Sequence, residues 1–296
     1  MKIRLAFGCW VLIVLSLSCA KTNPPDGIKR EHYPGGELRA QIPYKNGRIH
    51  GVKKEYYRNG NLKSEGPFVD GLLEGGFITY FENGVVQGRY QFKKGKQNGA
   101  AKEFHENGQL EREAFLKEDV ADGPLRTYYE NGQLKGEGLA QNGQLEGVIK
   151  EFYENGSMKS EIYLKKGKRQ GPAKEFYPNG QVSRELIYQD DQLNGLITTY
   201  YENGALKGKA KSVDDQLEGI VEEYYSEGGF KSQYSYHNGQ RSGLSQEFYK
   251  NQVVKSIMTY KNDKLDGVVK FFTPKGDLKL EEIFKNGERV SSKKGN

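Results

Sequence analysis

The sequence predicts an all-β protein, a repeat array of stacked antiparallel β-hairpins that form one elongated twisted sheet. Glycine recurs every 24 residues from Gly36 to Gly276, interrupted only at Gln252, and a second series runs from Gly51 to Gly267 without interruption. A fixed period held over most of a chain is typical of arrays in which each unit contacts mainly its neighbours. We therefore expect about ten and a half units over residues 32–287.

Each unit carries two turn motifs. In the clearest unit they are Asn131-Gly132 and Asn142-Gly143, and the runs beside them are rich in Tyr, Phe, Val, Ile and Leu. Asn-Gly favours the two positive φ angles of a type I′ turn, so each motif predicts a hairpin with a two-residue loop.

The loop length predicts a strand register. With Asn59-Gly60 as a two-residue loop, Tyr57 faces Leu62 and Lys54 faces Glu65. The equivalents of the second pair are also oppositely charged in five further units: Lys102/Glu113, Arg126/Glu137, Lys150/Glu161, Lys174/Glu185 and Lys270/Glu281. Opposite charges across a strand pair stabilise it, so the charge pattern supports the register.

Side-chain alternation in this register divides each unit between two faces. The core face collects Tyr57, Leu62, Phe68, Leu73 and Phe77. The recurring glycine at Gly75 is expected on this face opposite large residues such as Ile162 and Leu186, where it makes room or relieves twist. A single sheet has to cover this face by curling, by pairing with a second copy or with a partner.

The outer face carries Lys54 and Glu65 together with an aromatic residue in every unit. We call these aromatic residues the aromatic row: Tyr56, Tyr80, Phe104, Tyr128, Phe152, Phe176, Tyr200, Tyr224, Phe248 and Phe272. Lysines are expected between them, at Lys63, Lys135, Lys159, Lys207, Lys231, Lys255 and Lys279. The row is the candidate partner-binding surface, because Tyr supplies broad contact area at low entropic cost. The alternative is that the aromatic rings only stack to stiffen the sheet.

The two ends differ from the array. Residues 1–18 combine a basic start with a short apolar run, which indicates a signal peptide. Cys19 follows a small-residue exit, as in a bacterial lipoprotein signal, and is the predicted lipidation site; an ordinary cleaved signal or an uncleaved anchor are alternatives. Residues 19–31 are predicted to be a flexible tether and residues 288–296 a polar basic tail. The predicted location is the bacterial cell envelope, with membrane attachment through the lipid anchor.

The sequence offers no catalytic, metal-binding or cofactor-binding motif. The histidines, His32, His50, His105 and His237, do not have metal-ligand spacing. The glutamate series that includes Glu55 and Glu247 runs along a rod, whereas glycosidic chemistry needs two carboxylates in one cleft. The net charge of +6 is spread evenly, which argues against a nucleic-acid partner. We expect a protein that is not an enzyme.

The pattern aromatic-aromatic-x-Asn-Gly-x-Leu, followed by Asn-Gly-x-x-x-Gly, resembles the MORN repeat, specifically the bacterial variant grouped with YwqK-type antitoxin proteins. The resemblance covers nearly the whole chain after the predicted signal. It implies stacked hairpins in one elongated antiparallel sheet and, for function, a scaffold for protein contacts.

Three functional hypotheses follow. The first is an envelope-anchored scaffold that binds a protein partner or a second copy of itself. The second is a cell-envelope carbohydrate-binding repeat protein, although such repeats usually rely on Trp and the only Trp here is Trp10, within the predicted signal. The third is an antitoxin-like neutraliser of a partner protein, for which a signal peptide is an unexpected feature.

Overall fold

A computed structural model describes residues 24–295 of the chain. This part of the chain forms one long antiparallel sheet of 28 strands that does not close on itself, and it contains no helix. The predicted fold class is confirmed. In chain order the strands are β1 Gly27–His32, β2 Leu38–Lys45, β3 Arg48–Ile49, β4 Gly51–Tyr56, β5 Leu62–Val69, β6 Leu72–Leu73, β7 Gly75–Tyr80, β8 Val86–Lys93, β9 Lys96–Phe104, β10 Leu110–Lys117, β11 Val120–Tyr128, β12 Leu134–Gln141, β13 Gln144–Phe152, β14 Met158–Lys165, β15 Lys168–Phe176, β16 Val182–Gln189, β17 Gln192–Leu193, β18 Gly195–Tyr200, β19 Leu206–Val213, β20 Gln216–Leu217, β21 Gly219–Tyr224, β22 Phe230–His237, β23 Gln240–Phe248, β24 Val254–Lys261, β25 Lys264–Leu265, β26 Gly267–Phe272, β27 Leu278–Lys285 and β28 Glu288–Lys294.

Neighbouring strands are also neighbours in sequence. Five strands, β3, β6, β17, β20 and β25, have two residues each and continue after a one-residue break as the next strand. All substantial contacts between strands join such neighbours, so within residues 24–295 no second layer packs over the sheet. The result is a one-dimensional array in which each unit depends on the units beside it.

One of the two predicted turns has the expected geometry. At Asn142 and Gly143 the φ angles are 49° and 77°, so both loop residues are left-handed as a type I′ turn requires. The equivalent loops keep two positive φ angles even where the sequence is Asp190-Asp191 or Lys94-Gly95.

The other turn is longer than predicted. The Gly60 amide donates to the Tyr57 carbonyl (3.0 Å), and the Tyr57 amide donates to the Asn61 carbonyl (2.8 Å). Gly60 has a φ of 88°, and Asn59 is not left-handed. The loop therefore has three residues, 58–60, and the predicted two-residue loop at Asn59-Gly60 is wrong. A turn closed by a left-handed glycine is the common three-residue solution for hairpins.

A β-bulge directly after this loop restores the predicted register. Tyr56 pairs with Leu62 and Glu55 pairs with Ser64, which leaves Lys63 as an extra residue. The longer loop and the bulge cancel, so Lys54 pairs with Glu65 as predicted. Between them, however, the faces change: Leu62 joins Tyr56 on the outer face, and Lys63 lies on the core face with its ammonium 5.6 Å from the Tyr57 ring centre. The expected positions of Leu62 and Lys63 are exchanged.

The core face is buried within the chain itself. Leu73 and Phe77 are only 7% and 9% exposed, which confirms the face predicted for them, and Ile149 and Leu164 are buried to the same degree. Large side chains lie over small neighbours: a Cβ on Gly66 would meet the Phe77 ring at 2.7 Å, and one on Gly138 would meet Ile149. Glycines such as Gly66 and Gly138 thus make room for the large side chains beside them. These apolar side chains of the core face are buried without a second copy of the chain.

The recurring glycine at Gly75 lies opposite large residues, as predicted, but it does not make room for them. Gly75 pairs with Phe92 and the equivalent Gly147 pairs with Leu164, whereas Ile162 and Leu186 pair with Ile149 and Ala173. A Cβ on Gly147 would meet nothing within 4 Å. The φ of Gly75 is 103°, in a region that favours glycine. The strand is irregular where this glycine occurs, so it allows the strand to bend.

The array extends beyond the predicted boundaries. All of β1 except His32 lies within the segment predicted to be a tether (19–31), and β28 lies within the predicted tail (288–296). Their sequences lack an apolar pattern, and most of their side chains are exposed. Backbone pairing with β2 and β27 orders them, together with the ion pairs of Glu31 with Arg39 and of Arg289 with Glu282. The predicted signal peptide (1–18) and Cys19 lie outside the described residues. In residues 24–295 no helix is long and apolar enough to cross a membrane.

Candidate interaction surface

The aromatic row lies on the outer face and is half-buried. Each member pairs across its hairpin with an aliphatic or aromatic residue, as in Tyr128 with Leu134 and Phe152 with Met158. The Tyr224 and Phe230 rings stack with centres 5.0 Å apart. The row is therefore packed sideways into the sheet and keeps one side open to solvent.

The tyrosine hydroxyls of this row are already bonded within the sheet. Tyr128 donates to Glu113 (3.1 Å), Tyr200 to Glu185 (2.9 Å) and Tyr224 to Glu222 (2.8 Å). Burial and the hydrogen bond to Glu222 raise the pKa of Tyr224 to about 12. These bonds favour the stiffening role for the hydroxyls and leave the ring faces for contacts.

Next to the aromatic row runs a charge ladder. Its charged members are Lys54, Glu65, Arg89, Lys102, Glu113, Arg126, Glu137, Lys150, Glu161, Lys174, Glu185, Lys209, Glu222, Lys270 and Glu281. Arg126 lies 3.3 Å from Glu113 and 3.7 Å from Glu137, so it joins two hairpins. Because the signs mostly alternate, the ladder is neutralised within the sheet and presents no field of one sign.

The lysines expected between the aromatic residues lie on the other face. Lys159, Lys231 and Lys255 pair with Glu151, Glu223 and Glu247 at 3.7, 3.2 and 3.1 Å. Those glutamates share the core face with buried serines such as Ser232 and Ser256. The predicted surface of aromatic rings interleaved with lysines is therefore not assembled, because the bulge turns each lysine away from the aromatic row.

A second apolar row on the outer face was missed by sequence reasoning. We call its uninterrupted part the apolar stripe: Ala100, Phe115, Pro124, Leu139, Val148, Tyr163, Pro172, Ile187 and Leu196, on consecutive lines of the sheet. Its side chains are well exposed, for example Phe115 (49%), Val148 (47%) and Leu196 (63%). Pairs of consecutive apolar residues, such as Val148-Ile149 and Tyr163-Leu164, were the available sequence indication, since one member of each pair must face outward.

A basic row borders the apolar stripe on the side away from the charge ladder. Lys93 lies directly opposite Lys96, Lys165 lies opposite Lys168, and Lys117 lies opposite Val120. We call Lys93, Lys96, Lys117, Lys165 and Lys168 the lysine row. Like charges directly opposite one another destabilise a strand pair, so the two lysine–lysine pairs do not stabilise their hairpins.

Two shallow depressions adjoin where the stripe and the lysine row meet. One, of about 440 Å³, is lined by Val148, Tyr163 and Pro172 among others. The other, of about 380 Å³, is lined by Lys165 and Lys168. Gln170 lines both, so apolar and basic surfaces are continuous there.

Hydrogen bonds join consecutive units along both edges of the sheet. The asparagine of the three-residue loop accepts from the amide two residues on and donates to the next unit, as Asn107 does with Gln109 (2.9 Å) and Glu130 (2.8 Å). At the other edge the Gly143 amide donates to the Ala121 carbonyl of the preceding unit (2.8 Å). This repeated bonding makes the array a continuous scaffold.

The described residues show no arrangement for metal chemistry: within 24–295 there is no group of three or more His, Cys, Asp or Glu residues that could hold an ion. The histidines bond separately: His105 lies 3.2 Å from the Tyr128 carbonyl, and His237 lies 3.0 Å from Glu218.

A rod of hairpin repeats with one buried and one open face defines a repeat-scaffold class of protein. The chain belongs to the MORN repeat variant family, which it matches at residues 25–46, 49–70, 97–118, 121–142, 145–166, 169–190, 193–214, 241–262 and 265–286. The intervals 71–96 and 215–240, which the family does not match, have the same strands and turns as the matched units. MORN repeats are in general modules for protein or membrane interaction.

Comparisons with other proteins add little. A solved TcdB2-TccC3-TEV structure is 13% identical, with 87% of this chain and 15% of that chain covered and a TM-score of 0.19. A Photorhabdus luminescens Tc holotoxin pore is 11% identical, with 86% and 15% covered and a TM-score of 0.18. The chain spans only about 15% of those chains. No curated protein matched the chain.

Proposed function

We propose that the protein is a non-catalytic repeat scaffold, anchored in the bacterial cell envelope, that binds a protein partner through the outer face of its sheet. The observation that supports this is the contrast between the faces. The buried apolar side chains lie on the core face, whereas the outer face leaves Leu196, Ile220 and Leu244 more than half exposed. Extended exposed apolar surface is typical of interaction sites.

The rigidity of the array supports the same function. Partner binding is stronger when the contact surface does not lose conformational freedom. The unit-to-unit bonds of Asn107 and its equivalents hold the outer face in one arrangement over the whole sheet.

The anchor is proposed from the sequence around Cys19. Its test is metabolic labelling with a fatty-acid analogue in wild type, Cys19→Ala and Cys9→Ala, followed by membrane fractionation. We expect the label to depend on Cys19 and not on Cys9, because Cys9 belongs to the part that signal cleavage removes. A wild-type protein that stays unlabelled and unprocessed in the cytoplasm would contradict the envelope location and favour the antitoxin-like alternative.

Partner binding is tested by site-specific photo-cross-linking in cells. A cross-linking amino acid is placed at Tyr163 or Leu196 on the outer face, and at the adjacent core-face positions Ile162 or Ile197 as matched controls. We expect protein adducts from the outer positions only. Adducts from neither face would contradict the proposal, and retention of the purified chain on peptidoglycan beads without any protein would favour the carbohydrate alternative.

A further inference from the structure

We infer that the apolar stripe and the lysine row together bind an acidic amphipathic segment of a partner protein, an inference that rests on the proposed function and specifies its partner. The two rows lie side by side on the outer face and form a two-sided surface. One side is apolar. The other side carries Lys96, Lys117, Lys165 and Lys168, with Val120, Gln141 and Gln144 between them, and Glu118 and Asp190 pair with two of the lysines. The four lysines outnumber these two carboxylates, so the complementary ligand has apolar side chains along one side and carboxylates along the next.

The apolar half is continuous over a length that suits a single segment. Nine consecutive strands of the sheet, β9–β16 and β18, each contribute one residue to it. At a strand spacing of about 4.8 Å the stripe is roughly 40 Å long. A helix of about 25 residues, roughly seven turns, spans this distance.

The lysine row determines which charge the ligand must carry. Lys96 and Lys168 lie 3.2 and 4.0 Å from Glu118 and Asp190, whereas Lys93, Lys117 and Lys165 have no carboxylate partner within the described chain. The direct oppositions of Lys93 with Lys96 and of Lys165 with Lys168 repel. Carboxylates of a bound segment would relieve that repulsion.

The neighbouring charge ladder favours a narrow ligand over a membrane surface. Glu113, Glu137, Glu161 and Glu185 lie on the same face, on the other side of the stripe. An anionic bilayer pressed onto the stripe would also cover the ion pairs that these carboxylates form with the basic residues of the ladder, at a cost in desolvation. A single peptide segment can contact the stripe and the lysine row and leave the ladder in water.

The probe is a fluorescent synthetic helix of about 25 residues with leucine at helical spacing and glutamate on the flanking side. Its control has lysine in place of each glutamate. Binding to the purified full chain is measured by fluorescence anisotropy. We expect the glutamate peptide to bind at least about tenfold more tightly than the lysine peptide, a difference of about 1.4 kcal/mol.

The chain provides its own conservative substitutions. Four units further along the chain, the positions equivalent to Leu139 and Tyr163 are occupied by Ser235 and Thr259. The double variant Leu139→Ser with Tyr163→Thr therefore uses residues that the fold already accepts at these positions. We expect this variant to weaken peptide binding about tenfold and to leave the thermal melt nearly unchanged.

The lysines are tested in the same way. Gln141 lies opposite Gln144 at the position equivalent to Lys165 and Lys168, so Lys165→Gln with Lys168→Gln is compatible with the sheet. We expect binding about fivefold weaker at low salt, with a smaller difference at high salt. The matched control is Lys261→Gln with Lys264→Gln, an opposed lysine pair outside the apolar stripe, which should leave binding unchanged.

The outcomes separate this inference from the proposed function. Failure of the glutamate peptide to bind, or equal binding of the lysine peptide, overturns the inference. Binding of phosphatidylglycerol vesicles with the same dependence on the variants also overturns it, in favour of a membrane contact. Cross-links in cells from Tyr163 to a partner segment that is not acidic would overturn only the inference, whereas absence of any protein adduct would overturn the proposed function as well.

Discussion

The hydroxyl of Tyr129 donates a hydrogen bond to the backbone carbonyl of Phe152, in the next unit, at a distance of 2.8 Å. The same bond recurs with the same length from Tyr57 to Tyr80 and from Tyr153 to Phe176. Tyr129 is adjacent in sequence to Tyr128 but lies on the opposite face. Two neighbouring tyrosines thus have different roles: one joins consecutive units, and the other belongs to the aromatic row.

Removal of one hydroxyl tests this difference. Tyr129→Phe should lower the free energy of unfolding by about 1 kcal/mol, because it leaves the Phe152 carbonyl without its partner. Tyr128→Phe should cost less than about 0.5 kcal/mol, since Glu113 keeps Arg126 as a partner and can bond to water. Urea unfolding of both variants measures the difference. The reverse order of costs would contradict the assignment of the two faces.

The loop asparagine is predicted to stabilise two units at once. Asn107→Ala should cost about 1–2 kcal/mol, because both the bond to the Gln109 amide and the bond to the Glu130 carbonyl are lost. Asn107→Asp keeps the acceptor for the Gln109 amide and loses only the donor. We expect an intermediate midpoint for it in thermal melts. An aspartate variant as unstable as the alanine variant would locate the whole effect in the contact with Glu130.

The bending glycine can be tested at two equivalent positions. Gly147→Ala should cost about 1–2 kcal/mol for the left-handed backbone alone, because a Cβ there meets nothing within 4 Å. Gly123→Ala should cost about 1 kcal/mol more, since its Cβ would lie 2.7 Å from the Phe115 Cβ. Chemical denaturation measures both. Equal losses of unfolding free energy in the two variants would mean that Phe115 can shift away from the new Cβ at no cost.

Acid should destabilise the array through glutamates on the core face. Burial tends to raise the pKa of Glu247, but the hydrogen bonds from Tyr234, Lys255 and Ser256 and the charge of Lys255 outweigh it and hold the pKa below the ordinary value of a glutamate. A carboxyl whose pKa is lower in the folded state contributes stability above about pH 4.5, and that contribution is lost as the pH falls through the folded-state pKa. Unfolding free energies near pH 7 and near pH 3 should therefore differ less in Glu247→Gln than in wild type.

The control for this prediction is Glu175→Gln at the equivalent position. Glu175 is more exposed than Glu247, at 43% against 30%, and it pairs with Arg184 at 3.5 Å. We expect Glu175→Gln to change the acid dependence less. An acid dependence of Glu247→Gln identical to that of wild type would show that Glu247 is not a stabilising carboxylate.

Local residue chemistry was sufficient to predict much of the fold. The 24-residue period, the type I′ turn at Asn142-Gly143, the pairing of Lys54 with Glu65 and the burial of Leu73 and Phe77 could all be derived from turn propensity, alternation and charge. The aromatic row could be assigned to the outer face, but its binding role is still a prediction, as is lipidation of Cys19.

The sequence alone determined the period, the fold class and the charge ladder, because these depend on residue types repeated in every unit. Only the tertiary structure decided the faces of Leu62 and Lys63, since a three-residue loop and a bulge offset each other and leave the distant register unchanged. It also decided that Tyr163 and Lys165 form parts of one continuous surface. A side chain belongs to such a surface through its neighbours on adjacent strands, and those neighbours are set by register across the whole sheet.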